Sequence, residues 1–252
     1  MKTARYGWIP DLPDHRDHLY AAPAQIMAVI PAQVDLRPQC PPVFDQGQLG
    51  SCTANAIAGA MEFDQMKQKL ADVFTPSRLF IYYNERAIEG TVASDSGAQI
   101  RDGIKSIGKQ GACHEKLWPY DIAKFKSKPT AACYKDGAAN TAILYQRLVQ
   151  DTTQFKGCLA AGYPFVMGFT VYESFESPQV AKTGKLSMPA PGEKVVGGHA
   201  VMVAGYDDSI QSLIVRNSWG PGWGMKGYFT MPYAYAASSN LASDFWTVRI
   251  VK

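Results

Sequence analysis

The sequence is short of three things, each of which would have pointed to a function. It has no run of five like charges and a formal net charge of only +3, so the dense basic stripe of a nucleic-acid binder is missing. It has no apolar stretch near the ~20 residues that a membrane helix needs. The opening MKTARYGWIPDLPDHRDHLY breaks its few apolar letters with Pro, Asp and His, which leaves no hydrophobic centre for a secretory signal. Cysteine is the third scarcity: Cys40, Cys52, Cys113, Cys133 and Cys158 are scattered, with no CxxC pair among them. They offer neither a disulfide scaffold nor a zinc site, and in a single chain an odd count leaves at least one thiol unpaired. The expectation is a soluble monomer with no nucleic-acid, membrane, metal or cofactor partner.

What the chain does have is core material. Its 252 residues are 46% apolar, enough for one large domain or two half-domains around a cleft. Residues 1–29 are rich in Pro, Asp and Arg without periodicity, and read as an irregular arm ahead of the folded body. From Cys52 onward, Ala56, Ile57, Ala60, Met61 and Phe63 fall at three- and four-residue spacings, which predicts a buried helix starting at the cysteine with Ser51 as its cap. Thr75-Pro76 starts a second helix over 75–88, with Leu79, Tyr82, Tyr83 and Arg86 on helical spacing. A third covers 99–109 before Gly111 ends it. KFKSKPT reads as a solvated loop. Beyond about residue 140 come short β-rich runs, YPFVMGFTV, HAVMVAGYDD, SLIVRNSW and GYFTMPY. Gly, Pro and Asp-Asp turns separate them, so the second half reads as an antiparallel sheet or barrel and the fold class as α+β.

The chemistry concentrates at a few positions. DQGQLGSCTANA puts Cys52 at a loop-to-helix junction, where the free N–H groups of a helix start favour a thiolate. Thiolates are the nucleophilic form, so an activated Cys52 requires an imidazole partner. His15 and His18 lie in the irregular arm and His114 follows a glycine turn, whereas His199, in VVGGHAVMVAGYDD, heads a strand. An imidazole that shuttles a proton needs its other nitrogen held by an acceptor, and Asn217 in IVRNSWGPGWG supplies an amide oxygen. Singly, each residue has an ordinary explanation: a packed thiol, a structural histidine, an Asn-Ser turn.

Together these residues resemble the papain family of cysteine peptidases. The likeness is carried by Gln46, Gly47, Gly50, Ser51 and Cys52, then His199, then Asn217, Ser218, Trp219 and Gly220. Gly222-Trp223-Gly224, Gly227-Tyr228, Trp118-Pro119-Tyr120 and the IPAQVDLRP run at Ile30 extend it to roughly Ile30 through the C-terminus. The resemblance implies two lobes, a helical one over about 40–135 and an antiparallel, β-barrel-like one over about 136–252, with the active site in the cleft between them. It implies an endopeptidase acting on protein or peptide substrates through a Cys52 thiolate and His199 imidazolium pair and an acyl-enzyme intermediate, with Cys52 as nucleophile, His199 as acid and base, and Asn217 as orienter. Gln46 and the Cys52 N–H then form the oxyanion hole, and Trp219 shields the His-Asn hydrogen bond. Gly97 is carried over as a substrate-backbone contact. Gly168, Gly197 and Gly198 are carried over as a pocket for the second residue before the cut, roomy enough for bulky apolar or aromatic groups.

The pattern also departs from the family. Thr53 stands where members usually have Trp, and Leu49 where they have a disulfide cysteine, which points to a divergent, bacterial branch without that bridge. Whether Cys113 and Cys133 pair with each other stays open. The arm over 1–29 sits where a propeptide belongs, and Trp8, Ile9, Leu12 and Tyr20 are its apolar anchors. Laid across the cleft it would keep a zymogen inactive; packed on the back surface it would not. Two other functions compete: acyl transfer of the transglutaminase or arylamine acetyltransferase kind, which uses Asp in place of Asn, and a dead papain-like binding module, which would lack one of Cys52, His199, Asn217 or Gln46.

Overall fold

The computed structural model describes residues 6–252. Strands β1 (Trp8–Ile9) and β2 (Leu19–Tyr20), helix α1 (Ala24–Met27) and strand β3 (Gln33–Asp35) come first. Then follow α2 (Cys52–Gln68), α3 (Arg78–Glu89), β4 (Ala98–Gln99), α4 (Ile100–Lys109), α5 (Ala131–Ala138), β5 (Ala142–Leu148), α6 (Thr152–Ala160) and β6 (Phe165–Tyr172). The chain ends with α7 (Pro178–Thr183), β7 (Val195–Asp207), β8 (Ser212–Arg216), β9 (Tyr228–Pro232), α8 (Tyr233–Ala237) and β10 (Ala242–Val251).

Each long helix has a local reason to start and stop. Helix α2 is buried from Cys52 through Gln65 and ends where Lys69 turns left-handed at φ 54°. The Ser77 hydroxyl accepts a hydrogen bond from the Phe80 N–H to open α3, and Gly90 closes it at φ 73°, a conformation that glycine adopts without steric cost. Ser51 precedes α2, but its side chain does not cap the helix. Its Oγ lies instead 2.5 Å from the Tyr120 hydroxyl, so the expected cap is corrected to a loop contact.

The main sheet runs β2-β5-β10-β6-β7-β8-β9, with β3 added on β7. It does not close on itself, so the expected barrel-like lobe is an open sheet: β9 and β2 end the ladder without pairing each other. Strand β7 is its spine. Its first half pairs β6, with His199 opposite Phe169, while β8 begins pairing only at Met202. The edge beside His199 is therefore left to the start of α2, and the Ala200 N–H reaches the Cys52 Sγ at 3.3 Å. Packing α2 against this sheet buries Ile57, Met61 and Phe63 together with Met167, Phe169, Met202 and Val203 in one continuous core. All five cysteines are free thiols, and Cys113 and Cys133 pack with Phe80 in a small satellite core.

The arm is ordered along its whole described length. It enters beside the start of α2, pairs β1 with β4 in parallel, then adds β2 in parallel to β5. Of the apolar anchors expected, Trp8 and Tyr20 pack into the body, but Leu12 is 71% exposed and Ile9 is 37% exposed. Charge does that work instead. Asp11, Asp17 and Asp244 interlock with Arg101 and Arg147: Arg101 Nη2 meets Asp17 at 2.5 Å, and Arg147 reaches Asp17 at 3.2 Å and Asp244 at 3.1 Å. Buried carboxylates and guanidiniums persist because each finds a partner.

Candidate active site

Helix α2 places Cys52 at its first residue, and β7 places His199 beside it. The His199 Nε2 lies 2.8 Å from the Asn217 Oδ1, and the same oxygen accepts from the Ser218 N–H at 2.8 Å. That double use identifies the Asn217 oxygen as the acceptor, so Nε2 carries the proton and Nδ1 is the basic nitrogen. Nδ1 has no hydrogen-bond partner among the described residues. The Trp219 indole stacks on the imidazole, with centroids 5.2 Å apart and planes 30° from parallel, and Phe175 and Trp223 pack on that indole in turn. Cys52, His199 and Asn217 are all buried.

Burial sets the protonation states. It pushes the Cys52 thiol up to about 12, against N–H groups of Ala200, Gly7 and Thr53 that favour the thiolate. Burial likewise pulls His199 down to about 4, with the Asn217 hydrogen bond opposing. With the cleft covered, burial therefore works against the charged form of each partner, because neither charge is solvated.

Gln46 is held on every side of its side chain and backbone. Its Nε2 donates to the Leu49 carbonyl at 2.9 Å, and its Oε1 accepts from the Ser218 hydroxyl at 2.5 Å. Its backbone N–H donates to the Ser218 carbonyl at 2.8 Å, and its carbonyl accepts from the Tyr120 hydroxyl at 3.0 Å. The amide is thereby fixed next to the start of α2, as a preorganised donor requires.

The arm fills the rest of the cleft. The Tyr6 ring meets His199 edge-on at 5.9 Å, and its hydroxyl donates to Glu176 at 2.6 Å. The Gly7 carbonyl accepts from the Ala98 N–H at 2.7 Å, next to Gly97, whose φ is 75°. A Cβ on Gly97 would fall 2.1 Å from the Gly7 oxygen. Trp8 occupies the glycine pocket: a Cβ on Gly168 would meet its ring at 2.0 Å, and one on Gly198 would meet it at 2.8 Å, while Gly197 faces Tyr6. The Trp8 Nε1 donates to Asp244 at 3.0 Å. The positions singled out from sequence, Gln46, Cys52, Gly97, Gly168, Gly198, His199, Asn217 and Trp219, thus line one cleft, and the arm lies in it.

A model of the papain family of cysteine proteases matches residues 30–248. The chain belongs to that family. This cysteine peptidase is 45% identical, over 99% of its length and 88% of the other's, to an uncharacterized peptidase C1-like protein of Acanthamoeba polyphaga mimivirus. Among solved structures, xylellain, a cysteine protease from Xylella fastidiosa, superposes with a TM-score of 0.93 at 45% identity, over 100% of this chain and 98% of that one. Digestive procathepsin L 3 from Tenebrio molitor larval midgut shares the fold with a TM-score of 0.74 at 20% identity, over 93% of this chain and 74% of that one.

Two residues of the peptidase cleft carry no sequence signal. Asp244 floors the glycine pocket at φ 61°, in a bulged stretch of β10. Glu176 reaches the site from a single 3-10 turn over Glu173–Glu176. Nothing in their neighbours marks them, because each depends on contacts made at long range. Among the described residues, no group of three His, Cys, Asp or Glu side chains is arranged to hold a metal ion.

Proposed function

We propose that Cys52 is the nucleophile, His199 the proton carrier, Asn217 its orienter and Gln46 an oxyanion donor, and that residues 6–11 hold this machinery shut. The His199 Nδ1 takes the thiol proton as Sγ attacks the scissile carbonyl carbon. The developing oxyanion is met by the Gln46 amide and the Cys52 N–H, and the proton passes to the leaving amine. Water, deprotonated by the same imidazole, then releases the acyl group. Trp219 keeps the Nε2–Asn217 bond out of water, which strengthens it.

The observation that carries the inhibitory reading is what the arm presents to the thiol. Cys52 receives the Gly7 N–H, while the Gly7 carbonyl is turned away to Ala98. The arm therefore lies across the nucleophile with its backbone tied to the body on either side, and its strand β1 runs parallel to β4. Trp8 is its anchor, and removing a buried aromatic anchor costs about 2–4 kcal/mol. Labelling of Cys52 by an epoxide thiol-protease inhibitor, followed by intact-mass spectrometry, should be at least about tenfold faster in Trp8→Ala than in the parent. Equal rates would rule out autoinhibition.

The same pocket supports a preference for aromatic residues two positions before the cut. Arg147 already pairs one oxygen of Asp244, and the other takes the Trp8 indole N–H and the Asp11 N–H. With its charge compensated, this carboxylate suits a neutral donor on a flat ring. A library of fluorogenic peptides should show Trp and other bulky apolar residues at that position, and a profile led by Arg or Gly would contradict the reading.

A further inference from the structure

We infer that Arg78 is a positioning residue for the oxyanion hole, acting through the loop that carries Gln46. The inference rests on the roles proposed above for Gln46 and Cys52. Arg78 opens α3 and is nearly buried, an environment that a guanidinium tolerates only when its donors are used. Two of them grip the Glu115 carboxylate, Nε at 2.8 Å and Nη2 at 2.6 Å. This fork fixes the plane of the guanidinium as well as its place.

Fixed in that plane, the group touches the Gln46 loop from several sides. Its centre lies 4.7 Å from the Phe44 ring and 4.0 Å from the Tyr120 ring. Nη1 donates to the Asp45 carbonyl at 3.3 Å. Tyr120, pressed on the guanidinium, donates in turn to the Gln46 carbonyl. Residues 44, 45 and 46 are therefore each held by Arg78 directly or through one ring.

The other half of the oxyanion hole is tied to the same cation. Nη1 also donates to the Asn55 Oδ1 at 3.2 Å, and the Asn55 amide donates to the Ser51 carbonyl at 2.9 Å, one residue before Cys52. Arg78 thus registers the Gln46 loop against the start of α2, and the separation of the two oxyanion donors depends on it. Lysine would keep the charge but lose the plane, the fork and the double stack.

The test compares two small reagents on the full chain. p-Nitrophenyl acetate acylates the Cys52 sulfur through a tetrahedral oxyanion and releases p-nitrophenolate. Iodoacetamide alkylates the same sulfur by displacing iodide, with no oxyanion. Both meet the same arm, so the ratio of acylation to alkylation rate isolates the hole. Gln46→Ala should lower that ratio about a hundredfold. Arg78→Lys should lower it at least about tenfold, and the double variant should fall little below Gln46→Ala alone, since coupled residues do not add. A ratio within about twofold of the parent in folded Arg78→Lys, or losses that multiply, would overturn the inference. Should Arg78→Lys fail to fold, Glu115→Gln decides it: a severalfold fall supports the positioning role, and an unchanged ratio removes it. Failure of Gln46→Ala to change the ratio would strike the oxyanion assignment itself.

Discussion

Gly168 shows how much a single missing side chain can carry. The absence of a Cβ there serves two occupants: the Trp8 ring in the covered state and a substrate side chain in the open one. In Gly168→Ala the new methyl would start 2.0 Å from the Trp8 ring, far inside contact distance, against a rigid indole that cannot yield as a flexible chain end would. Labelling of Cys52 by the epoxide should therefore speed up while turnover of substrates with aromatic residues in the pocket slows. A variant that labels at the parent rate and turns over normally would mean that Trp8 does not fill this pocket in solution. At the same scale, Asp244 works because Arg147 compensates it; a carboxylate left alone at the pocket floor would instead attract a cation.

Helices α2 and α3 meet through a buried carboxyl. The Thr53 hydroxyl donates to the Glu85 Oε1 at 2.6 Å, one residue after the nucleophile, and burial holds the Glu85 carboxyl well above the usual carboxylate range. A group whose folded-state pKa is raised supports the fold below its ordinary pKa and loses that support as pH rises through the raised value. Glu85→Gln keeps the shape and cannot ionise, so thermal melts should show its stability gaining on the parent as pH increases. Parallel pH profiles would argue against a neutral Glu85. The long helices were legible because their signals are local: the Ala-rich period of α2, the spacing of Leu79, Tyr82, Tyr83 and Arg86 in α3, and Gly111 after α4; the start expected at Thr75-Pro76 falls instead at Arg78, where Ser77 supplies the cap. Short α5, α6 and α7 were not legible, because their caps, Thr130, Asp151 and Ser177, stand alone without enough periodicity behind them. The strand runs were recognisable, but their order was not. Whether the ladder closes depends on which edges meet, and the β2 edge is supplied by an arm with no strand pattern. The catalytic positions were readable as a motif, whereas Arg78, Glu115 and Asp244 are ordinary charged letters whose partners lie far along the chain.

Over the whole molecule, the arm and the body share a buried charge lattice whose balance depends on pH. Burial and the neighbouring Asp244 push the Asp11 carboxyl above its ordinary range, against the Arg101 and Trp246 N–H groups. Asp17, Arg101 and Arg147 complete the cluster. Docking thus favours a protonated Asp11, so the arm should bind more tightly in the acid range and loosen as pH rises past that raised value. Calorimetry of a synthetic 1–29 peptide on a chain starting at Ile30 should show weaker binding at pH 8 than at pH 5, and the reverse order would refute this assignment of the proton. The parallel pairing of β2 with β5 adds a different constraint. Ten residues separate Trp8 from Leu19, so when the cleft contacts break, the tip of the arm stays tethered within roughly 20 Å of its seat. Its local concentration is then on the order of millimolar. Any peptide substrate present below that concentration competes poorly against a tip of even modest affinity. Mutations in the cleft therefore tune how often the gate opens, but a single break in the Ile9–His18 leash would turn a reversible blocker into a diffusible one, diluted by the volume of the solution.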